Sequence, residues 1–393
     1  MWRPADDEDD DLPGRRRERF AEIYRLGAEG QGASCERSSG VMPFIARIRG
    51  TAGACYSSRQ AVRMVPAMRA LRFEKTGSLD ELKLTDIARP ILGEGEVLIQ
   101  VKAAAINPSD IKNVLGKMHE TSLPRTPGRD FAGVIVEGPP AVVGSSVFGT
   151  GGDLGFGRDG SHAEYIAVPA AVAVPLSKGI SFESAATLGL PFITAYAALV
   201  SAAKLRSGET ILITGTTGAV GRVAVSIAAS LGATVLGTAR SASKIPRADA
   251  MPVAHWIDLE LDELSARVRE ATGGRGADVV FDLIGGGMFE KCLASLAQRG
   301  RQVAIASGPE RKVTFDLIDF YHNESRLLGV DSLKLSFAET GAILRELSSG
   351  LERGVYPPPP IEEPIQVFPL GQGVQVYRDL AEGRIRQKAV LVP

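Results

Sequence analysis

Residues 210–221 read Thr-Ile-Leu-Ile-Thr-Gly-Thr-Thr-Gly-Ala-Val-Gly, and no other stretch restricts the possible folds of this chain so severely. The first residues are β-branched or apolar and read as a buried strand, and the glycines then break it into a tight turn. Beyond the turn, Val220, Ala224, Ile227, Ala228 and Leu231 recur at the spacing of a helix with one buried face. A strand that passes through a glycine turn into a helix opens a βαβ unit that binds a dinucleotide. Gly218 lets the backbone approach a pyrophosphate and Gly221 lets helix and strand pack closely, while Thr216 stands where the first glycine is expected. Gly215, Thr217, Gly218, Ala219, Val220 and Gly221 are therefore the candidate phosphate contacts, backed by the positive end of the helix.

About twenty residues further on, a site built for NADH carries an acid for the ribose hydroxyl. Here the second strand ends in Thr-Ala-Arg-Ser-Ala-Ser-Lys over 238–244, with no carboxylate. Arg240, Ser241 and Lys244 instead complement the 2′-phosphate of NADPH, the guanidinium being able to fork onto it. The expected cofactor is NADPH.

The pattern around this motif divides the chain. Strands at 69–73, 97–106, 130–137 and 162–168, separated by Gly and Pro, predict a mostly β domain. From 192 onward the pattern alternates strands (210–214, 234–239, 278–284, 302–307) with helices (220–231, 262–272, 288–297), which predicts a doubly wound parallel sheet covered on both faces. Pro357 to Pro360 read as a stiff spacer, then 371–381 as a helix and 389–392 as a last strand able to rejoin either domain. The expected division is 1–67 as a disordered extension, 68–191, 192–356 and 357–393.

The extension follows from composition. Six consecutive acids at 6–11 precede Arg15, Arg16, Arg17 and Arg19, and blocks of like charge stay solvated. Residues 42–68 hold Arg, Ser, Ala and Gly without an acid, the make-up of an organelle transit peptide, but the acidic start favours a cytoplasmic protein. Lys plus Arg (45) nearly balances Asp plus Glu (46), which gives no electrostatic case for nucleic acid or an anionic membrane. The nearly uncharged stretch 223–239 contains Gly232 and Gly237 and reads as helix, turn and strand, so no membrane-spanning segment is expected. Three cysteines, Cys35, Cys55 and Cys292, make neither a disulfide framework nor a four-thiolate zinc site.

A chain of further motifs points to a family. Residues 105–110 (Ala-Ile-Asn-Pro-Ser-Asp), 127–133 (Pro-Gly-Arg-Asp-Phe-Ala-Gly), 160–165 (Gly-Ser-His-Ala-Glu-Tyr), 189–196 (Gly-Leu-Pro-Phe-Ile-Thr-Ala-Tyr), the glycine turn, 281–286 (Phe-Asp-Leu-Ile-Gly-Gly) and Gly300-Arg301 occur in order. With them the chain from 68 to 393 resembles the medium-chain dehydrogenase/reductase superfamily, and within it the zinc-independent quinone oxidoreductases related to zeta-crystallin. The resemblance implies a GroES-like catalytic domain built from both ends of the chain, a Rossmann nucleotide domain between them, and a cleft where they meet. Zinc-using members place Cys, His and Cys at positions that here read Asn107, Arg129 and Leu190, none of which replaces a thiolate or imidazole. No metal is expected.

The implied chemistry is hydride transfer from NADPH to an electrophilic small molecule, a quinone or an α,β-unsaturated carbonyl compound. An enoyl thioester reductase and a non-enzymatic NADPH-binding protein are the alternatives. Asn107 matches the family's asparagine near the nicotinamide and offers a donor to an acceptor oxygen. Thr194 matches the threonine beside the ring, and Ser307, at the end of the strand 302–307, is counted with the cofactor contacts. Many relatives carry a tyrosine where this chain has Lys112, a second catalytic candidate as proton donor or positive field. Arg129 is read as an ion pair of Asp130, Tyr196 as core beside Phe192 and Leu199, and His119, His162, His255 and His322 as having no ligand spacing. Relatives dimerise through the strand that corresponds to 327–331, which implies a homodimer.

Overall fold

Antiparallel pairing builds the first part of the chain. In this computed structural model the described residues are 66–118, 121–246, 251–308, 310–356 and 365–393. The chain divides into Met1–Val62 and Arg63–Pro393. The expectations for the acidic and transit-like extension, for the proline spacer 357–360 and for His119 concern residues outside the described ones, save for 66–68 at the end of the extension. β1 (Ala67–Arg72) and β2 (Lys83–Ala88) form a two-stranded ribbon, and β3 (Glu96–Ala105) is the spine of the larger sheet. After β3, Asn107 caps the short helix α1 (Pro108–Val114), whose proline sits in the first turn, where its missing N–H costs nothing. β4 (Phe131–Glu137), β5 (Ser146–Gly149), β6 (Tyr165–Pro169) and β7 (Val174–Pro175) complete this part, with β4 and β6 pairing antiparallel on either side of β3.

Helices then lead into the second part. α2 (Phe182–Ala185), α3 (Gly189–Tyr196) and a wider turn at Ala197–Ala202 together make a helical stretch of 21 residues, within which an 18-residue window has a mean hydropathy of 1.6, the one described helix long and apolar enough to cross a membrane. The sequence reading, fixed on 223–239, passed over it. Two-thirds (67%) of that window is buried inside the protein, and the stretch packs against the helix after the glycine turn and the long helix 337–352, so its apolarity on all sides is that of a core helix.

The parallel sheet follows: β8 (Thr210–Ile213), α4 (Ala219–Ser230), β9 (Thr234–Ala239), β10 (His255–Asp258), α5 (Leu264–Ala271), β11 (Ala277–Asp282), α6 (Phe289–Ala294), β12 (Leu296–Ala304), α7 (Leu317–His322), β13 (Arg326–Gly329) and α8 (Phe337–Glu352). Its strand order is β10-β9-β8-β11-β12-β13, all parallel, with the reversal between β8 and β11 where a dinucleotide-binding crevice opens. α8 was not foreseen from periodicity. A capping box from Ser336 and Glu339 starts it, and its buried face holds Ile343, Leu344 and Leu347.

The chain end settles the open question of where it returns. β14 (Gln366–Pro369), α9 (Gly373–Ala381) and β15 (Ala389–Val392) rejoin the first sheet, whose order is β14-β15-β3-β4-β5-β7. β15 pairs antiparallel with β3, Val390 opposite Ala105 and Leu391 opposite Ala104. This is a GroES-like catalytic part made from both ends of Arg63–Pro393, with a Rossmann part between.

Candidate functional site

The glycine turn is assembled by contacts that only its own residues allow. Gly215 sits at φ +61°, and its carbonyl accepts the Gly218 N–H at 3.0 Å. Thr216, at the position where glycine was expected, is fully buried and clamps two strands: its hydroxyl donates to the Ile213 carbonyl at 2.6 Å and accepts the Thr238 N–H at 2.8 Å. A side chain at Gly221 would place Cβ 2.4 Å from the Gly215 oxygen and 2.7 Å from Thr216, closer than real atoms come, so the helix can reach the strand only with glycine there. Gly218 is the N-cap of α4 and no side chain caps the helix. Its first-turn amides are left for a ligand, with Gly218 and Ala219 exposed and Thr217 and Val220 half-buried beside them.

The next strand ends at the predicted ribose-side residues. Arg240 and Lys244 are exposed, and among the described residues neither side chain has a hydrogen bond or ion pair. Their loop is fastened from below by Asp258, whose carboxylate accepts the Ala242 N–H at 2.7 Å, while Ser241 and Ser243 share a hydroxyl contact of 3.1 Å. Ser307 lies past the end of β12 and, with Ile305, Gly329 and Asp331, lines an open cavity of about 660 Å³ at the same edge of the sheet. Thr194, on α3, is buried and donates to the Ser332 hydroxyl at 3.2 Å, next to that cavity's Asp331. The structure thus gathers all the sequence-predicted cofactor residues of the parallel sheet along its C-terminal edge.

A second cluster forms where β3 runs into α1. Asn107 is 3% exposed. Its Nδ2 donates to Asp130 Oδ2 at 2.9 Å, its Oδ1 accepts from Lys388 Nζ at 2.5 Å, and its backbone N–H donates to Asp110 Oδ2 at 2.7 Å. The second oxygen of Asp130 accepts the Leu190 N–H at 2.8 Å, which ties the cluster to α3. Beside it lies Arg129, 2% exposed, with no hydrogen-bond partner for Nε or Nη2 among the described residues and with its guanidinium 6.0 Å from the Phe156 ring centroid. The turn that carries it needs Gly128, at φ +103°, because a Cβ there would lie 2.6 Å from both His162 and Ser161.

Burial sets the charges. It raises the Asp110 carboxyl to about 7, with Asp130 adding to the rise and the Asn107 N–H, Arg129 and Lys388 opposing it. Lys388 is half-buried as a residue, yet desolvation pulls its ammonium below the usual lysine range against the pull of Asp130 and Asp110. Arg129 is lowered by burial and held up by Asp110, Asp130 and Asp331, the last from the nucleotide part. His162, fully buried, is pushed down to about 4 and is neutral; Nδ1 lies 2.8 Å from the Tyr377 hydroxyl and Nε2 3.3 Å from the Ala105 carbonyl, a structural tie between chain ends.

Some expectations change here. Asp130 does not pair with Arg129: no ion pair joins them among the described residues, and the Asp130 oxygens accept instead from Asn107 and Leu190. Lys112 is exposed on α1 and has no side-chain partner among the described residues, so the cation brought to Asn107 is Lys388. Tyr196 is half-buried and packs on Phe192 at 5.8 Å between ring centroids. Lys388 was missed because its place depends on register: continuing the β15–β3 pairing puts residue 388 opposite 107.

The three positions that hold zinc in metal-using relatives surround Asp130, and here they carry an amide, a guanidinium and an aliphatic side chain. With the Lys388 ammonium alongside, two cations occupy the neighbourhood, and a divalent ion does not fit this donor set. A dinucleotide fits the other edge, where uncapped amides and unpaired cations await phosphate.

A GroES-like sheet beside a Rossmann sheet with an open phosphate turn defines a nucleotide-dependent oxidoreductase. Family models for the alcohol dehydrogenase GroES-like domain and for zinc-binding dehydrogenase match residues 93–178 and 219–349. The chain is 34% identical over 301 residues to a zinc-type alcohol dehydrogenase-like protein of Schizosaccharomyces pombe (76% of this chain, 88% of the relative) and 30% identical over 296 residues to human quinone oxidoreductase (73% and 87%). A mycobacterial protein solved in complex with NADPH superposes with a TM-score of 0.71 at 26% identity, covering 83% of this chain and all (100%) of its own. The chain belongs to the quinone oxidoreductase family of the medium-chain dehydrogenase/reductase superfamily.

Proposed function

We propose that this protein is an NADPH-dependent reductase of quinones or α,β-unsaturated carbonyl compounds that works without a catalytic zinc. The observation that carries the reading is the Asn107–Asp130–Lys388 cluster standing in place of metal ligands, beside a nucleotide edge that carries two unpaired cations. The NADPH complex of the mycobacterial relative and the quinone oxidoreductase relatives support it.

The first-turn amides of α4 would hold the pyrophosphate, and Arg240, Ser241 and Lys244 the 2′-phosphate. Bound NADPH supplies the hydride. Asn107, with one Nδ2–H taken by Asp130, has a second N–H to offer an acceptor oxygen as negative charge develops there, and its burial keeps water from competing. An acceptor whose conjugation already makes it electron-poor needs no Lewis acid beyond such donors. Purified full-length protein should oxidise NADPH with 1,4-benzoquinone or a simple enone and keep its rate after exhaustive chelation. Absence of turnover with quinones, enones and enals would remove the reading, and a chelator-sensitive rate restored by zinc would remove its metal-free part.

The homodimer belongs to the same proposal. Among the described residues β13 pairs only with β12, and Leu327 on it and Leu317, Ile318 and Tyr321 on the preceding α7 are exposed, an apolar surface that a second copy of the edge would cover. Sedimentation at micromolar concentration should give twice the chain mass, and Leu327→Lys should return it to the single-chain mass.

A further inference from the structure

Lys388 is absent from every motif considered above, yet it makes the closest polar contact to the Asn107 amide. We propose that Lys388 is a positioning residue whose ammonium orients and polarises that amide, so that the remaining Nδ2–H becomes the donor to the acceptor oxygen. The inference rests on the reading of Asn107 as that donor.

Two observations carry it. First, Lys388 lies among titratable groups on three elements, Asp110 on α1, Arg129 and Asp130 in the turn before β4, and His162, neutral, before β6, and yet among the described residues it forms no ion pair; its ammonium contacts the neutral oxygen of Asn107. A lysine kept only to balance the aspartates would contact a carboxylate. Second, the amide has one workable orientation. Reversed, it would set its oxygen against the Asp130 carboxylate and its NH2 against the ammonium. A charge-assisted bond at Oδ1 draws electron density from the amide and strengthens its N–H as a donor, an effect that grows in a buried site. Continuing the β15–β3 register brings residue 388 opposite 107, within reach of its side chain.

The test uses the full chain with NADPH and a quinone acceptor. Lys388→Met should lower kcat by about ten- to a hundredfold, less than or equal to the loss of a direct oxyanion donor, with NADPH affinity within about twofold of wild type. Lys388→Arg keeps a cation and should recover most of that loss. The wild-type rate should fall on an alkaline limb below the ordinary lysine range, and this limb should vanish in Lys388→Arg, because a guanidinium does not titrate there. A readout independent of turnover is the side-chain amide resonance of Asn107, identified by its loss in Asn107→Asp. Besides a step at about 7 from Asp110, which accepts the Asn107 N–H, it should show a separate alkaline step as Lys388 deprotonates, and that alkaline step should be lost in Lys388→Met. Unchanged kcat in Lys388→Met, or an alkaline step of the amide that persists without the lysine, would overturn the inference. If wild-type protein reduces no acceptor, the proposed function falls, and the resonance still decides whether Lys388 controls Asn107.

Discussion

Replacing Arg240 by glutamate is expected to weaken NADPH binding on the order of 100-fold, about 2.7 kcal/mol, and to leave NADH binding within about threefold. Arg240 directly follows β9 with its side chain exposed and unpaired among the described residues, so nothing in the folded protein is lost with it. Charge-assisted hydrogen bonds contribute about 1.5–3 kcal/mol each, and a carboxylate at the same place adds repulsion of a phosphate. NADH presents only a ribose hydroxyl, which a carboxylate accepts from. The ratio of the two dissociation constants, from fluorescence titration, therefore isolates the 2′-phosphate. Lys244→Ala is expected to act in the same direction but less strongly, since an ammonium is a point charge without the fork. Equal losses for both nucleotides in Arg240→Glu would mean that the loop as a whole, not its charge, had been damaged. Thermal stability should not change, because the loop is fixed by Asp258 and not by Arg240.

How much of this was legible beforehand depends on the range of the interactions. The glycine turn, β9 and Arg240 are local features, fixed by spacing within thirty residues, and sequence reading placed them where the structure has them. Thr216 shows the limit of pattern alone: it departs from the expected glycine, and its hydroxyl clamp between Ile213 and Thr238 appears only once two strands are paired. The Asn107 cluster is the opposite case. Its members come from the start of α1, the turn before β4, the start of α3 and the residue before β15, and strand register brings the last of them to Asn107. Lys112, five residues from Asn107, attracted attention by nearness in sequence, while Lys388, separated from it by 281 positions, makes the contact. The pairing of Asp130 with Arg129 failed for a related reason. Adjacency in sequence did not bring the two groups into hydrogen-bond contact, and the Asp130 oxygens accept from partners 23 and 60 positions away.

Asp130 carries the largest stability prediction. Its carboxylate is fully buried and accepts two hydrogen bonds, from the Asn107 amide and the Leu190 backbone, so it joins the catalytic sheet to the helix that leads into the nucleotide part. The cluster holds two carboxyl groups, Asp110 and Asp130 itself, and two cations, buried Arg129 and half-buried Lys388. Asp130→Ala removes one anion, leaves the Leu190 N–H without its partner and sets two cations against a single carboxylate. Breaking a buried charge cluster by deleting one member costs about 3–5 kcal/mol, which should lower the melting temperature by on the order of 10 °C. Asp110 should respond: with its repelling neighbour gone and both cations still present, its carboxyl should fall below the raised value it holds in the native cluster. Turnover should drop with stability, because Asn107 loses the partner that fixes its nitrogen. Asn107→Ala separates the two effects, since it removes the proposed donor but leaves Leu190 bonded to Asp130, and should reduce kcat at a much smaller cost in stability. In the double variant the losses in kcat should not add, because both substitutions abolish the same oriented amide. Additive losses would show that Asp130 supports turnover through some route other than Asn107.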